Sequence, residues 1–283
     1  MNIIRTVSEL LKYVESAKLK GYQTGLVPTM GALHEGHLSL VKRSKDENDI
    51  TIVSIFVNPT QFNNPTDLAT YPRNEEEDVR KLAKEGVDIV FSPSVEEIYP
   101  AGANRDKTFK LGLKAEVMEG KYRPGHFQGV AQIVSRLFEL CRPTRAYFGM
   151  KDFQQIAIIR EMIRNHGIDV EIVACPIVRE ENGLALSSRN QLLDKEQRRE
   201  ASKIHQTLKK SVKDAKTLDV ESVREKVICE LNSINGFKVE YFEIVDGETL
   251  LPVEEWSEAE YVMGCITVYV GTVRLIDNIQ YKP

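Results

Sequence analysis

The run Thr24-Gly25-Leu26-Val27-Pro28-Thr29-Met30-Gly31-Ala32-Leu33-His34-Glu35-Gly36-His37 settles what kind of fold the chain adopts. Thr24 to Val27 reads as a short strand, Pro28-Thr29-Met30-Gly31 follows it, and Gly36 to Lys45 reads as a helix. A strand feeding a helix is the first half of a βαβ unit, and the chain repeats the step. Thr51 to Val57 (TIVSIFV) is a nearly continuous β-branched apolar run, which suits a strand covered on both faces. Asn74-x-x-Glu77 then caps a helix that ends at Gly86, and Val87 to Phe91 follows as a strand.

The alternation extends both ways. Upstream, Thr6-Val7-Ser8-Glu9 is a capping box leading into Leu10, Leu11, Val14 and Ala17 at helical spacing, with Gly21 as the stop. Downstream, Val130, Ile133, Val134, Leu137 and Leu140 mark a helix over Gly129 to Cys141, ended by Pro143. Arg145 to Phe148 reads as a strand, Phe153 to His166 as a helix closed by Gly167, and Val170 to Ala174 as a strand. Strands alternating with helices imply right-handed crossovers and a parallel sheet. After Pro176 the pattern changes. Two helices, Asp194 to Lys213 and Val220 to Leu231, precede three strand patterns, Lys238 to Val245, Glu260 to Val270 and Val273 to Ile279. The expectation is α/β: a parallel-sheet domain over 1–176 and a smaller α+β domain with an antiparallel sheet over 177–283.

At 283 residues the chain is long enough for about two domains and a sizeable core. Its formal charge of −4 removes the basic stripe on which a nucleic-acid binder depends. No window approaches the ~18 apolar residues of a membrane span. Met1 to Gly21 reads as a charged amphipathic segment without a signal-peptide core, so a cytoplasmic location is expected. Cys141, Cys175, Cys229 and Cys265 are too far apart for a CxxC pair and read as free, buried thiols. The stretch Gly102 to Lys114 carries no motif.

In open α/β sheets ligands bind beyond the carboxyl ends of the strands. The turn through Gly31 and Gly36 lies there, and a helix start adds unpaired N–H groups and a positive dipole end suited to phosphate. His34 and His37 are three apart, so both rings can donate to phosphate oxygens. Zinc ligation and two ordinary surface histidines are competing readings. Lys151, in Gly149-Met150-Lys151-Asp152, sits at another strand end as a point charge for phosphate. Ser187, Ser188 and Arg189, in Leu186-Ser187-Ser188-Arg189-Asn190, make an anion clamp just past the domain boundary, so that the second domain can close as a lid over a nucleotide held by the first. Amides in Asn58-Pro59-Thr60-Gln61-Phe62 and Gln154-Gln155 could fix a small polar substrate, and Arg123 and His126 could face the same cleft.

Five ordered segments, PTMGALHEGH, FVNPTQF, YRPGHFQGVA, FGMKDFQQ and LSSRN, resemble the pantoate–β-alanine ligase (pantothenate synthetase) family, within the HxGH nucleotidyltransferase superfamily. The resemblance runs from about Gly25 to Asp194. It implies a Rossmann-like first domain and an AMP-forming ligase that condenses pantoate with β-alanine at the expense of ATP, through pantoyl adenylate, for pantothenate and coenzyme A biosynthesis. It implies that Met30, Gly31, Ala32, Leu33, His34, Glu35, Gly36 and His37 hold ATP, together with Gly149, Met150, Lys151, Asp152, Val178, Leu186, Ser187, Ser188 and Arg189. His37, His34 and Lys151 would be catalytic. Gln61 and Gln155 would bind pantoate, and Gln61 also β-alanine. Mg²⁺ would bridge phosphate oxygens, with no protein ligand assigned to it. The family is homodimeric, and its partners are small molecules, with no nucleic acid and no membrane. A nucleotidylyltransferase and a non-catalytic nucleotide-binding module are the other readings the motifs allow.

Overall fold

The computed structural model describes residues 1–101 and 108–282. The first part of the motif-free stretch at Gly102 lies outside the described residues. The first half runs β1 (Asn2–Ile4), α1 (Val7–Leu19), β2 (Thr24–Thr29), α2 (Glu35–Glu47), β3 (Ile50–Ile55), α3 (Pro65–Thr70), α4 (Glu75–Lys84), β4 (Ile89–Phe91) and α5 (Val95–Ile98). Then come α6 (Glu119–Tyr122), α7 (His126–Cys141), β5 (Arg145–Gly149), α8 (Phe153–His166) and β6 (Glu171–Cys175). The remainder holds α9 (Lys195–Asp214), α10 (Val220–Asn232), β7 (Phe237–Asp246), β8 (Val262–Val270) and β9 (Val273–Lys282).

Among the described residues β1 to β6 form one parallel sheet in the order β1-β4-β3-β2-β5-β6. The chain winds outward from β2 through β3 to β4, then restarts on the other side of β2 with β5. The carboxyl ends of β2 and β5 therefore flank the switch point, where a crevice opens. Strand residues alternate between two cores, as a period of two requires. Leu26, Ile52, Ile89 and Phe148 join α1, α7 and α8 on one face. Val27, Val53, Val90 and Tyr147 join α2 and α4 on the other. The result is a three-layer α/β/α sandwich.

The helices begin where the capping chemistry says. Thr6 Oγ1 accepts the Glu9 N–H, and Asn74 accepts the Glu77 N–H. Asp194 and Gln197 form a reciprocal capping box at α9, and Gly167 closes α8 in the left-handed conformation. One element at the start of the chain has no counterpart in the sequence reading: Asn2–Ile4 pairs with β4 as an edge strand ahead of the helix capped by Thr6. Strand β2 is thus the second strand in sequence. Three residues are too few for any periodicity, and their partner lies more than eighty residues away. Cys229 is exposed, against the expectation of four buried thiols; Cys141, Cys175 and Cys265 are buried and free.

The antiparallel sheet β7-β8-β9 packs against α9 and α10 around Leu208, Val223, Phe242 and Ile266. It meets the parallel-sheet region through Glu119. That buried carboxylate accepts from Tyr241 Oη (2.8 Å), Thr267 Oγ1 (3.0 Å) and both terminal nitrogens of Arg274 (2.7 and 2.8 Å). Burial alone would raise the Glu119 carboxyl, but the Arg274 bonds and charge, with Tyr241 and Arg123, outweigh it and hold it at about 2. No helix among the described residues is long and apolar enough to cross a membrane.

Candidate active site

The start of α2 is built by its own two histidines. His34 is the N-cap: its Nδ1 accepts the Gly36 N–H (3.1 Å), while His37 Nδ1 accepts the His34 N–H (3.3 Å). The ring centroids lie 4.1 Å apart. An imidazole nitrogen that accepts from a backbone N–H carries no proton, so both rings bear theirs on Nε2. Burial, then the Lys151 charge, with Lys81 adding, pushes His34 down to about 4. Burial, His34, Lys151 and Lys81 hold His37 well below its ordinary value. Both are neutral at physiological pH and offer one N–H each. Gly36 is required here: a Cβ would lie 2.9 Å from the His34 ring.

The turn before the helix does something the sequence reading did not foresee. Gly31 and Ala32 both have positive φ, 80° and 50°. Successive residues of this kind make their N–H groups converge on an anion. The anion is supplied by the protein: Asp78 of α4 accepts from Ala32 N–H (2.8 Å) and Leu33 N–H (2.7 Å). Gly31 N–H goes to Thr29 Oγ1 (3.2 Å), and Lys81 Nζ donates to the Leu33 carbonyl (2.6 Å). The backbone of Gly31–Leu33 is thus occupied as a brace and does not line the cavity. Leu33 is core, and exposed Glu35 faces Lys42 at 4.0 Å. Met150 packs against the first core. These five residues, expected at ATP, are not among those that line the cavity at the switch point.

The others gather. A cavity of about 200 Å³ at the switch point is lined by Met30, His34, Gly36, His37, Gln61, Gly149, Lys151, Asp152, Gln155, Val178 and Leu186 to Arg189. Phe56 and Val130, inside two of the motifs, and Tyr71, Val134 and Tyr147, outside all five, supply apolar wall. Gln61 Nε2 donates to Met30 Sδ (2.9 Å), and Asn58 Nδ2 to Gln61 Oε1 (3.5 Å). Gln154, read with Gln155 as a substrate amide, is spent on structure: it receives the Glu119 N–H and donates to the Lys114 and Val117 carbonyls.

A second cavity of about 630 Å³ adjoins the first, sharing Lys151, Asp152, Gln155, Ser187 and Arg189. Arg123 and His126 line this second cavity, with Gln155, and not the one lined by Gln61. His126 Nδ1–H donates to the Gln61 carbonyl (2.8 Å), and Arg123 Nη1 donates to His126 Nε2 (3.2 Å). Burial, then the neighbouring Arg123, pushes His126 down to about 4.

The Leu186–Asn190 segment already lies against the parallel-sheet region. Ser188 Oγ donates to the Ala32 carbonyl (3.1 Å), and Arg189 grips Asp67 of α3 with bonds of 2.8 and 3.1 Å while lying over the Tyr71 ring. Sequence reasoning expects closure of one domain on the other to bring this loop to the helix start; contact exists in this arrangement. Arg189 is held by the Asp67 carboxylate through Nε and Nη2, and its Nη1 donors are not engaged by Asp67.

A switch-point cavity with two neutral imidazoles at a helix start, a lysine at the neighbouring strand end and amides opposite defines an α/β enzyme acting on a small anionic ligand. A family model described as pantoate-beta-alanine ligase matches residues 2–280. The chain belongs to that family and is a ligase joining pantoate to β-alanine. It is 55% identical over 282 residues to the pantothenate synthetase of Bacteroides fragilis, spanning 100% of this chain and 99% of the relative. It is 47% identical to that of Thermotoga petrophila, over 98% and 99%. The crystal structure of the Thermus thermophilus enzyme superimposes with a TM-score of 0.93 at 42% identity, covering 100% of both chains. A Francisella tularensis pantoate-beta-alanine ligase, complexed with beta-gamma ATP and beta-alanine, gives 0.83 at 38% identity, covering 99% and 98%.

Proposed function

We propose that the enzyme makes pantothenate in two steps around the 200 Å³ cavity. A pantoate carboxylate oxygen attacks the α-phosphorus of ATP, the bond to the β-phosphate oxygen breaks, and pyrophosphate leaves. The neutral amine of β-alanine then attacks the pantoyl adenylate carbonyl, loses its proton and expels AMP. The observation that carries this reading is the convergence of His34, His37, Lys151, Gln61 and Gln155 on one cavity at the switch point.

The roles follow from the chemistry of each group. His34 and His37 donate Nε2–H to triphosphate oxygens, most strongly as charge builds on the leaving pyrophosphate. Lys151 supplies the nearest fixed positive charge, and Ser187, Ser188 and Arg189 the rest of the clamp. Gly149 and Val178 contact the nucleotide through backbone. Gln61 and Gln155 hold the pantoate carboxylate and hydroxyls, and Gln61 also meets the incoming amine. Such a step is mostly positioning and charge stabilisation. Mg²⁺ would enter with ATP and would neutralise charge on the triphosphate beside His34, His37 and Lys151. The reading assigns the catalytic groups to 1–176 and a covering role to 177–283, and carries the family's homodimer and a cytoplasmic location with it.

Exchange of labelled pyrophosphate into ATP tests it. Exchange should require pantoate and proceed without β-alanine. Lys151→Ala should lower it by ~10²-fold, the worth of one well-placed charge contact in a dry site. Exchange that needs β-alanine, or none at all in active enzyme, overturns the adenylate; full exchange in Lys151→Ala overturns the lysine's role.

A further inference from the structure

Lys151 stands in a single 3-10 turn, Met150–Asp152, between the end of β5 and the start of α8. One turn has little hydrogen bonding of its own to fix it. The missing restraint comes from the other sheet. Asn278 of β9, buried to 5% exposure, donates its Nδ2 hydrogens to the Met150 carbonyl (2.8 Å) and the Lys151 carbonyl (3.1 Å). A side-chain amide has two such hydrogens, and both are used here.

Asn278 is itself fixed. Its backbone N–H donates to Asp277 Oδ1 (2.8 Å), and Asp277 receives Arg179 through bonds of 2.7 and 2.9 Å. Arg179 also donates to the Gly183 carbonyl (3.2 Å) at the base of the loop that leads to Ser187. One dipeptide on the last strand thus braces both the lysine turn and the root of the serine–arginine loop.

We infer that Asn278 is a positioning residue for adenylate formation, acting through the backbone of the Lys151 turn. The lysine stem is flexible, so its ammonium is only as well placed as its Cα. Misplacement of a reacting or stabilising group by about 1 Å costs on the order of 10²-fold in rate. This inference rests on the assignment of Lys151 to the triphosphate, and the experiment separates the two.

Pyrophosphate exchange is measured with the full-length enzyme, Lys151→Ala, Asn278→Ala and the double variant, each normalised to folded protein. Asn278→Ala should lower kcat by about 10-fold with KM for pantoate within twofold of the parent, because the pantoate amides are untouched. In the Lys151→Ala background the same change should cost less than twofold, since the group it positions is gone. Asn278→Asp keeps the size and the strand but presents an oxygen to two carbonyl oxygens; it should reproduce the loss, and it serves if the alanine variant does not fold. A merely structural role would lower the thermal midpoint and leave kcat per folded molecule alone. Equal losses in both backgrounds, an unchanged kcat, or a loss confined to KM for pantoate overturns the inference. Normal exchange in Lys151→Ala overturns the lysine assignment and this inference with it.

Discussion

A histidine whose Nδ1 accepts a backbone N–H has a single proton to offer, and at His34 and His37 it is the one on Nε2. The spacing of three that suggests phosphate contact also creates the helix cap, so the same two rings organise the backbone and present the donors. Neutral rings donate without carrying charge into the cavity, and the fixed charge is left to Lys151. Nitrogen-15 NMR of the imidazoles checks this. Between pH 8 and 6 neither His34 nor His37 should titrate, and His34 should begin to take up a proton only as the pH approaches about 4. A midpoint near 6.5 for either ring would remove the neutral-donor account.

The packing of a helix on a turn sets the place of Gln61. Gly129, one turn into α7, lets that helix lie directly on the Pro59–Gln61 turn: a Cβ there would stand 2.4 Å from the Thr60 carbonyl oxygen and 2.6 Å from Gln61 Cα. Backbone cannot yield as a flexible side chain can. Gly129→Ala should therefore destabilise the fold by about 1–3 kcal/mol, the usual range for overpacking. It should also raise KM for pantoate several-fold while leaving KM for ATP within twofold, because the displaced turn carries Gln61 and not the His34–His37 cap. Urea unfolding and steady-state kinetics measure the two effects; equal changes in both KM values would mean that the turn does not hold the pantoate amide.

Buried titratable groups give the entire protein a particular acid response. His34 and His126 are held neutral with folded values of about 4, below their ordinary 6.5. As the pH falls below 6.5 the unfolded chain takes up protons that the folded chain refuses, so their stabilising contribution is complete above 6.5 and is lost down to about 4. Glu119, held at about 2 against an ordinary 4.5, adds a second window: its contribution is complete above 4.5 and is lost as the pH falls toward 2. Urea midpoints should be level from pH 8 to 7, fall between 6.5 and 4, and fall further below 4.5 as the Arg274 pairing weakens. A midpoint constant from pH 7 to 4.5 would contradict the burial of these imidazoles.

The alternation of apolar runs with capped helices is local information, which is why the α/β half, the change of pattern after Pro176 and the three late strands are legible in the chain itself. The motifs are legible for the same reason, since HEGH, FVNPTQF and MKDFQQ each lie within one strand-to-helix step. What lies beyond them depends on partners distant in sequence. Asn2–Ile4 is a strand only because Ile89–Phe91 lies beside it. Nothing near the Gly31–Leu33 turn in the chain announces that Asp78, forty-five residues on from Leu33, accepts its Ala32 and Leu33 N–H groups. Gln154 and Gln155 are neighbours of one residue type, yet only packing decides that the first bonds the start of α6 at Glu119 and the second lines the switch-point cavity. Asn278 carries no signal in its surroundings, and its role arises where the last strand meets a turn more than a hundred residues earlier. Periodicity and capping act over a few residues and so are written in the sequence; which carboxylate or amide satisfies which buried N–H or carbonyl is set by the packing of the two sheets, and only the tertiary structure decides it.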